Sequence, residues 1–202
     1  MTSGKRLAVA VGIGLLTVFG SLSAAHAQYG APRPYYGAPP PPRGVYRSGL
    51  VIGGSLGVGG IYAQDCGVYC GAAGMFEGHI GGMLNPRLAL MGDLWGAIHA
   101  WEDIYGPGTT YHGIYTVALQ FWVADIIWLK GGIGFGHMKL QGDFDAIAFG
   151  DESGLAAMGA AGVEIVQAHN FTLDLQLRLG HGFYTQGGDV NNVGAMIGVN
   201  WY

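Results

Sequence analysis

The chain has 202 residues, half of them hydrophobic and only 11% charged, with 39 glycines and a formal net charge of −4. That length leaves room for one domain of ordinary size plus extras. The sparse, net-negative charge argues against a nucleic-acid partner, and no apolar run is long enough and suitably flanked for a helical membrane protein.

Residues 1–27 read as a cleaved signal peptide. Lys5 and Arg6 make a basic start, residues 7–19 an apolar run, and Ala25-His26-Ala27 a small-x-small cleavage site before Gln28. An N-terminal anchor helix is the alternative. Cleavage removes Lys5 and Arg6 and takes the net charge from −4 to −6. No cysteine follows closely, so no acyl anchor is expected. Residues 28–47 hold most of the prolines and no apolar periodicity, which predicts an extended, polyproline-like linker. Its Arg33, Arg43 and Arg47, interleaved with tyrosines, could meet an envelope partner, peptidoglycan or lipid headgroups; a plain spacer is the simpler reading.

Residues 48–202 alternate apolar and polar side chains in segments broken by turn residues, the period of a β-strand. Eight strands are predicted, over 49–62, 74–84, 88–100, 111–122, 127–138, 154–166, 171–184 and 191–201. The seventh is the clearest: Phe171, Leu173, Leu175, Leu177 and Leu179 share one face, with Asp174, Gln176 and Arg178 on the other. Predicted connections after the second, fourth and sixth strands are short. Those over 63–73, 101–110 and 139–153 are longer. Even strand number, alternating connection length and outward aromatics near strand ends together predict an all-β, eight-stranded antiparallel transmembrane β-barrel with both termini on the short-turn side. Tyr62, Phe76, Tyr111 and Phe183 would form one girdle, and Phe121, Phe171 and Trp201 the other.

On this architecture and its aromatic C-terminus, Val199-Asn200-Trp201-Tyr202, the stretch from Ser48 to Tyr202 resembles the small outer-membrane β-barrel proteins of Gram-negative bacteria, the OmpA/OmpX-like group. The resemblance implies location in the outer membrane, contact with lipid and lipopolysaccharide, and recognition by the barrel-assembly machinery. In this chain Trp201, rather than the terminal Tyr202, shares the apolar parity. No counterpart of the peptidoglycan-binding domain that follows the barrel in OmpA is expected.

Parity sends Asp93, Lys130, Glu164, Asp174 and Arg178 into the lumen, with Lys130 and Glu164 near the short-turn ends of neighbouring strands. A lumen charge network is expected, and an eight-stranded lumen is just wide enough for side chains to fill. Ion conduction is the alternative. His79, His99 and His112 also face inward; they read as hydrogen-bonded lumen histidines, with a Zn²⁺ or Cu²⁺ site as the alternative. Cys66 and Cys70, the only cysteines, predict a loop disulfide. Acidic residues dominate the long connections, where Ca²⁺ or Mg²⁺ could collect, but no calcium-loop spacing is present. Gly131 to Gly136 lacks the Gly-Lys-Ser/Thr of a nucleotide loop and lies inside a strand. No cofactor is expected. The function expected is structural or adhesive. Two alternatives stand beside it: an outer-membrane lipid acyl hydrolase built on Ser153 and His181, and a soluble secreted barrel that binds an apolar ligand.

Overall fold

The computed structural model describes residues 45–64, 66–104, 106–142, 152–185 and 188–202. The expected signal peptide and most of the expected linker lie outside these residues.

Eight antiparallel strands form a closed barrel in chain order, β8 pairing back onto β1. They are β1 (Leu50–Ala63), β2 (Gly71–Asn85), β3 (Leu88–Asp103), β4 (Gly106–Trp122), β5 (Ile127–Gly142), β6 (Glu152–Gln167), β7 (Phe171–Phe183) and β8 (Val190–Trp201). Closure leaves no open sheet edge. The expected face assignments hold along every strand, because each strand separates two environments and side chains alternate between them. In β6 the alternation slips once. A register shift between Glu164 and Val166 leaves Ile165 and Val166 both exposed on the wall.

Connections 86–87, 123–126 and 168–170 define a turn end, and the opposite end is the loop end. At the loop end the strands run further than the alternation predicts. The connection expected over 101–110 is instead a hairpin: Trp101 pairs with Gly108, Glu102 with Pro107 and Asp103 with Gly106. Acidic, small and turn residues interrupt this extension, so it carries no period-two alternation despite Trp101 and Ile104, yet the ladder persists because the two backbones remain adjacent. Similarly, β2 begins at Gly71 and β5 continues to Gly142.

The outer wall is apolar around its whole circumference, with Leu56, Val58 and Ile133 more than 70% exposed. Inside, two apolar clusters fill the lumen. Val51, Met91, Trp122 and Trp128 pack toward the turn end, and Ile61, Met75, Trp95, Ile114 and Met196 toward the loop end. Two of the three buried tryptophans, Trp128 and Trp95, fit because glycines face them. A Cβ on Gly162 would strike the Trp128 indole, and one on Gly180 would strike Trp95 and Ile114. Gly162→Val should therefore lower unfolding stability by about 1–3 kcal/mol or more through overpacking. The urea midpoint of the detergent-refolded barrel reads this, and an unchanged midpoint would mean that Trp128 has room to move.

Candidate functional site

Between the two apolar clusters lies a charged cluster contributed by four strands. Arg178 on β7 donates from Nη1 and Nη2 to both oxygens of Asp93 on β3, at 3.0 and 3.1 Å. Its Nη2 also lies 2.8 Å from Glu77 Oε1. Lys130 on β5 donates to Asp93 at 2.9 Å and approaches Glu77 at 3.4 Å. All four side chains are buried. Two carboxylates thus face two cations, and each charge has partners of opposite sign, as a buried ion requires.

Further polar groups fix these four. Ser55 donates to Glu77 at 2.9 Å, and the His79 ring nitrogen Nδ1 lies 2.7 Å from its other oxygen. Arg178 Nε donates to Gln176, whose amide donates to Asp174; Asn200 donates to the second Asp174 oxygen at 2.9 Å. Four of the five expected lumen charges, Asp93, Lys130, Asp174 and Arg178, are therefore joined directly or through Gln176. Glu77 is the member that sequence reasoning left out of the set. Its inward parity on β2 was legible, but the partners that make it a member come from β5 and β7 across the lumen.

Glu164, the fifth expected charge, lies elsewhere, at the turn end. It accepts from Arg47 at 2.6 Å, Trp122 Nε1 at 2.7 Å and Gln167 at 2.6 Å. Arg47 also donates to the Asp125 carbonyl and lies 4.9 Å from the Trp122 ring centre and 5.9 Å from that of Tyr202. Tyr46 donates its N–H to the His169 carbonyl and stacks on that ring. Residues expected at the end of the linker thus dock into the barrel mouth. The C-terminus joins them: Tyr202 donates its N–H to Asn170 and turns inward against Trp122, while Trp201 faces outward against Phe171. Burial, reinforced by the Glu164 charge, pushes the Tyr202 phenol above its ordinary pKa, so it stays protonated as a donor.

The loop end carries a second assembly. Cys66 and Cys70 form a disulfide, with Cα atoms 5.6 Å apart, around a 3-10 turn at Gly67–Tyr69. This small loop rests on the β3–β4 hairpin. The two ring nitrogens of His99 lie 2.7 and 3.1 Å from the carbonyls of Ala72 and Val68, and Thr110 donates to that of Tyr69. Tyr69 packs edge-on to Trp101 at 4.8 Å and its hydroxyl reaches Asp103.

The three inward histidines do not converge. His79 is held by Glu77, His99 by loop carbonyls, and His112 by the Tyr184 hydroxyl at 2.7 Å. Glu77, His79 and Asp93 do offer ligand atoms within 4.8 Å of one another. Lys130 and Arg178 already neutralise those carboxylates, so the donor set does not suit a divalent cation. The expected Ser153–His181 pair is also not formed. The register sets His181 opposite Ala157, four residues along β6 from Ser153, and His181 instead binds Asn191 and approaches Asp189. The soluble ligand-binding alternative fails too, since the lumen is packed while the apolar face points away from it.

The chain matches no protein-family model and no curated protein. Among solved structures it is similar to Neisserial surface protein A, at 11% identity and a TM-score of 0.58, covering 76% of this chain and 97% of that one. The fold is that of the small eight-stranded outer-membrane barrels. A further member of that fold is Ail, the attachment invasion locus protein of Yersinia pestis, solved in complex with the heparin analogue sucrose octasulfate. It shares 16% identity and a TM-score of 0.53, over 76% of this chain and 98% of that chain. The small-barrel fold accounts for the even strand number, the short turns at one end and the side-chain-filled lumen of this protein.

Proposed function

We propose that this protein is an integral outer-membrane barrel with a structural and surface-interaction role, exported through a cleaved signal peptide over residues 1–27. The observation that carries the reading is the pairing of a continuous apolar wall with a packed lumen whose buried charges are ion-paired or hydrogen-bonded. A soluble barrel would leave that wall in water, far above the few hundred Å² of apolar patch that soluble monomers tolerate. In a bilayer the same wall meets lipid, and every backbone amide is satisfied within the closed sheet.

In this reading the turn end faces the periplasm. It holds Tyr46, Arg47 and the C-terminal Tyr202, and the Pro-rich sequence of residues 28–47 is the part of the chain that would meet an envelope partner. The loop end faces outward and presents the disulfide-braced loop on its hairpin as a preorganised contact surface, where Val68 and Ile104 are exposed. Preorganisation lowers the ordering cost of binding. The wall contacts lipid and lipopolysaccharide, and the aromatic C-terminus is the natural handle for the barrel-assembly machinery. No enzymatic step and no cofactor are assigned.

Expression of the full precursor, isolation of outer membranes and comparison of boiled with unboiled samples on a denaturing gel tests this. Outer-membrane fractionation with a mobility shift on boiling is expected. In planar bilayers the refolded barrel should show no stable conductance steps, because tryptophans and ion pairs fill the lumen. A soluble, unshifted protein would overturn the membrane assignment, and steady channel currents would overturn the sealed lumen.

A further inference from the structure

Among the described residues, five Lys or Arg side chains are present, and four of them, Arg47, Arg87, Lys130 and Arg178, have a carboxylate within 4.0 Å. The fifth, Lys139, has no ion-pair partner among those residues and is exposed near the loop end of β5. Its parity is that of Ile133, Phe135 and His137, so it stands on the wall rather than in the lumen. Tyr111 lies directly opposite it in the β4–β5 register, and the Tyr111 ring is 6.5 Å from that of His137. Ser153 on β6 pairs in register with His137, and its Oγ lies 3.2 Å from His137 Nδ1.

We propose that Lys139, His137 and Ser153, flanked by the Tyr111 ring, form a wall site for the phosphate of a membrane glycolipid. The inference rests on the outer-membrane reading above. When His137 Nδ1 accepts a hydrogen bond from the Ser153 hydroxyl, Nε2 carries the ring hydrogen and becomes a donor two residues from Lys139 on the same face of β5. Ammonium and imidazole N–H are donors suited to phosphate oxygens, and a charge-assisted bond to an anion is the stronger kind; the Tyr111 hydroxyl turns over Gly113, so its ring flanks the site without donating to it. The wall immediately below decides that the anion is borne by a lipid. Phe135 and Ile133, four and six residues nearer mid-strand than Lys139 on the same face, are 67% and 75% exposed. An occupant that reaches Lys139 along this wall therefore runs an apolar portion down it, as an acylated headgroup does. A long cationic side chain at the edge of an apolar belt extends toward the headgroup layer for the same reason.

The test uses the mature chain refolded in neutral detergent micelles, with bound lipid counted by native mass spectrometry. The probes are bisphosphorylated lipid A, the same lipid dephosphorylated, and inorganic phosphate as competitor. The wild-type protein should retain the phosphorylated lipid and not the dephosphorylated one. Lys139→Gln should weaken retention about tenfold or more, Lys139→Arg should preserve it, and His137→Ala should weaken it less. Equal retention by Lys139→Gln, or equal retention of dephosphorylated lipid, overturns the site. Failure of inorganic phosphate to displace the lipid supports a lipid-borne ligand, and full displacement at equal concentration overturns it in favour of the free anion. The exposed position of Lys139 leaves folding intact, which the heat-dependent gel shift verifies for each variant. A chain that stays in the aqueous phase without detergent or vesicles defeats the membrane reading itself; insertion without phosphate discrimination defeats only this site.

Discussion

Replacing Asp93 with alanine is expected to destabilise the barrel by about 3–5 kcal/mol, the usual cost of stranding a buried charge by removing its partner. Asp93 accepts both guanidinium hydrogens of Arg178 and the Lys130 ammonium. Without it, the two buried cations keep Glu77 as their one ion-pair partner, at a level enclosed between two clusters of tryptophan, methionine and aliphatic side chains. Urea unfolding of the detergent-refolded protein, followed by circular dichroism, measures the loss. The control is a paired replacement, Asp93→Leu with Arg178→Met, which leaves Lys130 matched to Glu77. That variant should lose much less than Asp93→Ala, because it removes one charge of each sign and fills the space with apolar atoms. If the single and paired variants unfolded at the same midpoint, volume rather than charge would be what the cluster supplies.

Glu164→Ala should cost about 3 kcal/mol by the same mechanism at the turn end, since it leaves the Arg47 guanidinium buried without its carboxylate. It also removes the acceptor used by Trp122 and Gln167. The effect has a second readout that a lumen mutation lacks. Arg47 precedes β1 and ties the chain entering the barrel to β6, the 123–126 turn and the C-terminal tyrosine. Limited proteolysis near Arg47 should therefore become faster in Glu164→Ala and in Arg47→Ala. The double variant should lose less than the sum of the two singles, because both remove one interaction. Strict additivity would show that Arg47 and Glu164 act separately.

Much of the fold was legible in residues alone because every strand lies between two unlike environments. Leu173, Leu175, Leu177 and Leu179 against Asp174, Gln176 and Arg178 can satisfy that boundary only as a strand, and eight such segments with alternating connection lengths imply closure. Where the chain leaves the boundary, the signal fades. Residues 101–110 carry no alternation, yet they form a hairpin because the strands beneath hold the two backbones in register.

The candidate site divides along the same line. Parity alone determined which charges enter the lumen, and the close spacing of the only two cysteines, Cys66 and Cys70, in one loop predicted their bond. It could not decide which charges meet. Lys130 and Glu164, both near the turn end of neighbouring strands, looked like partners, but Lys130 stands opposite Ala160 and Glu164 opposite Asp174. Four residues of strand separate those levels, about 13 Å at the usual rise. Lys130 instead crosses the lumen to β2 and β3, and Glu164 takes an arginine from before the first strand. The period-two pattern by itself determined which face each side chain occupies, since that depends only on its neighbours along the strand. Register and barrel closure, which exist only in the tertiary structure, decided which inward side chains share a level and reach one another.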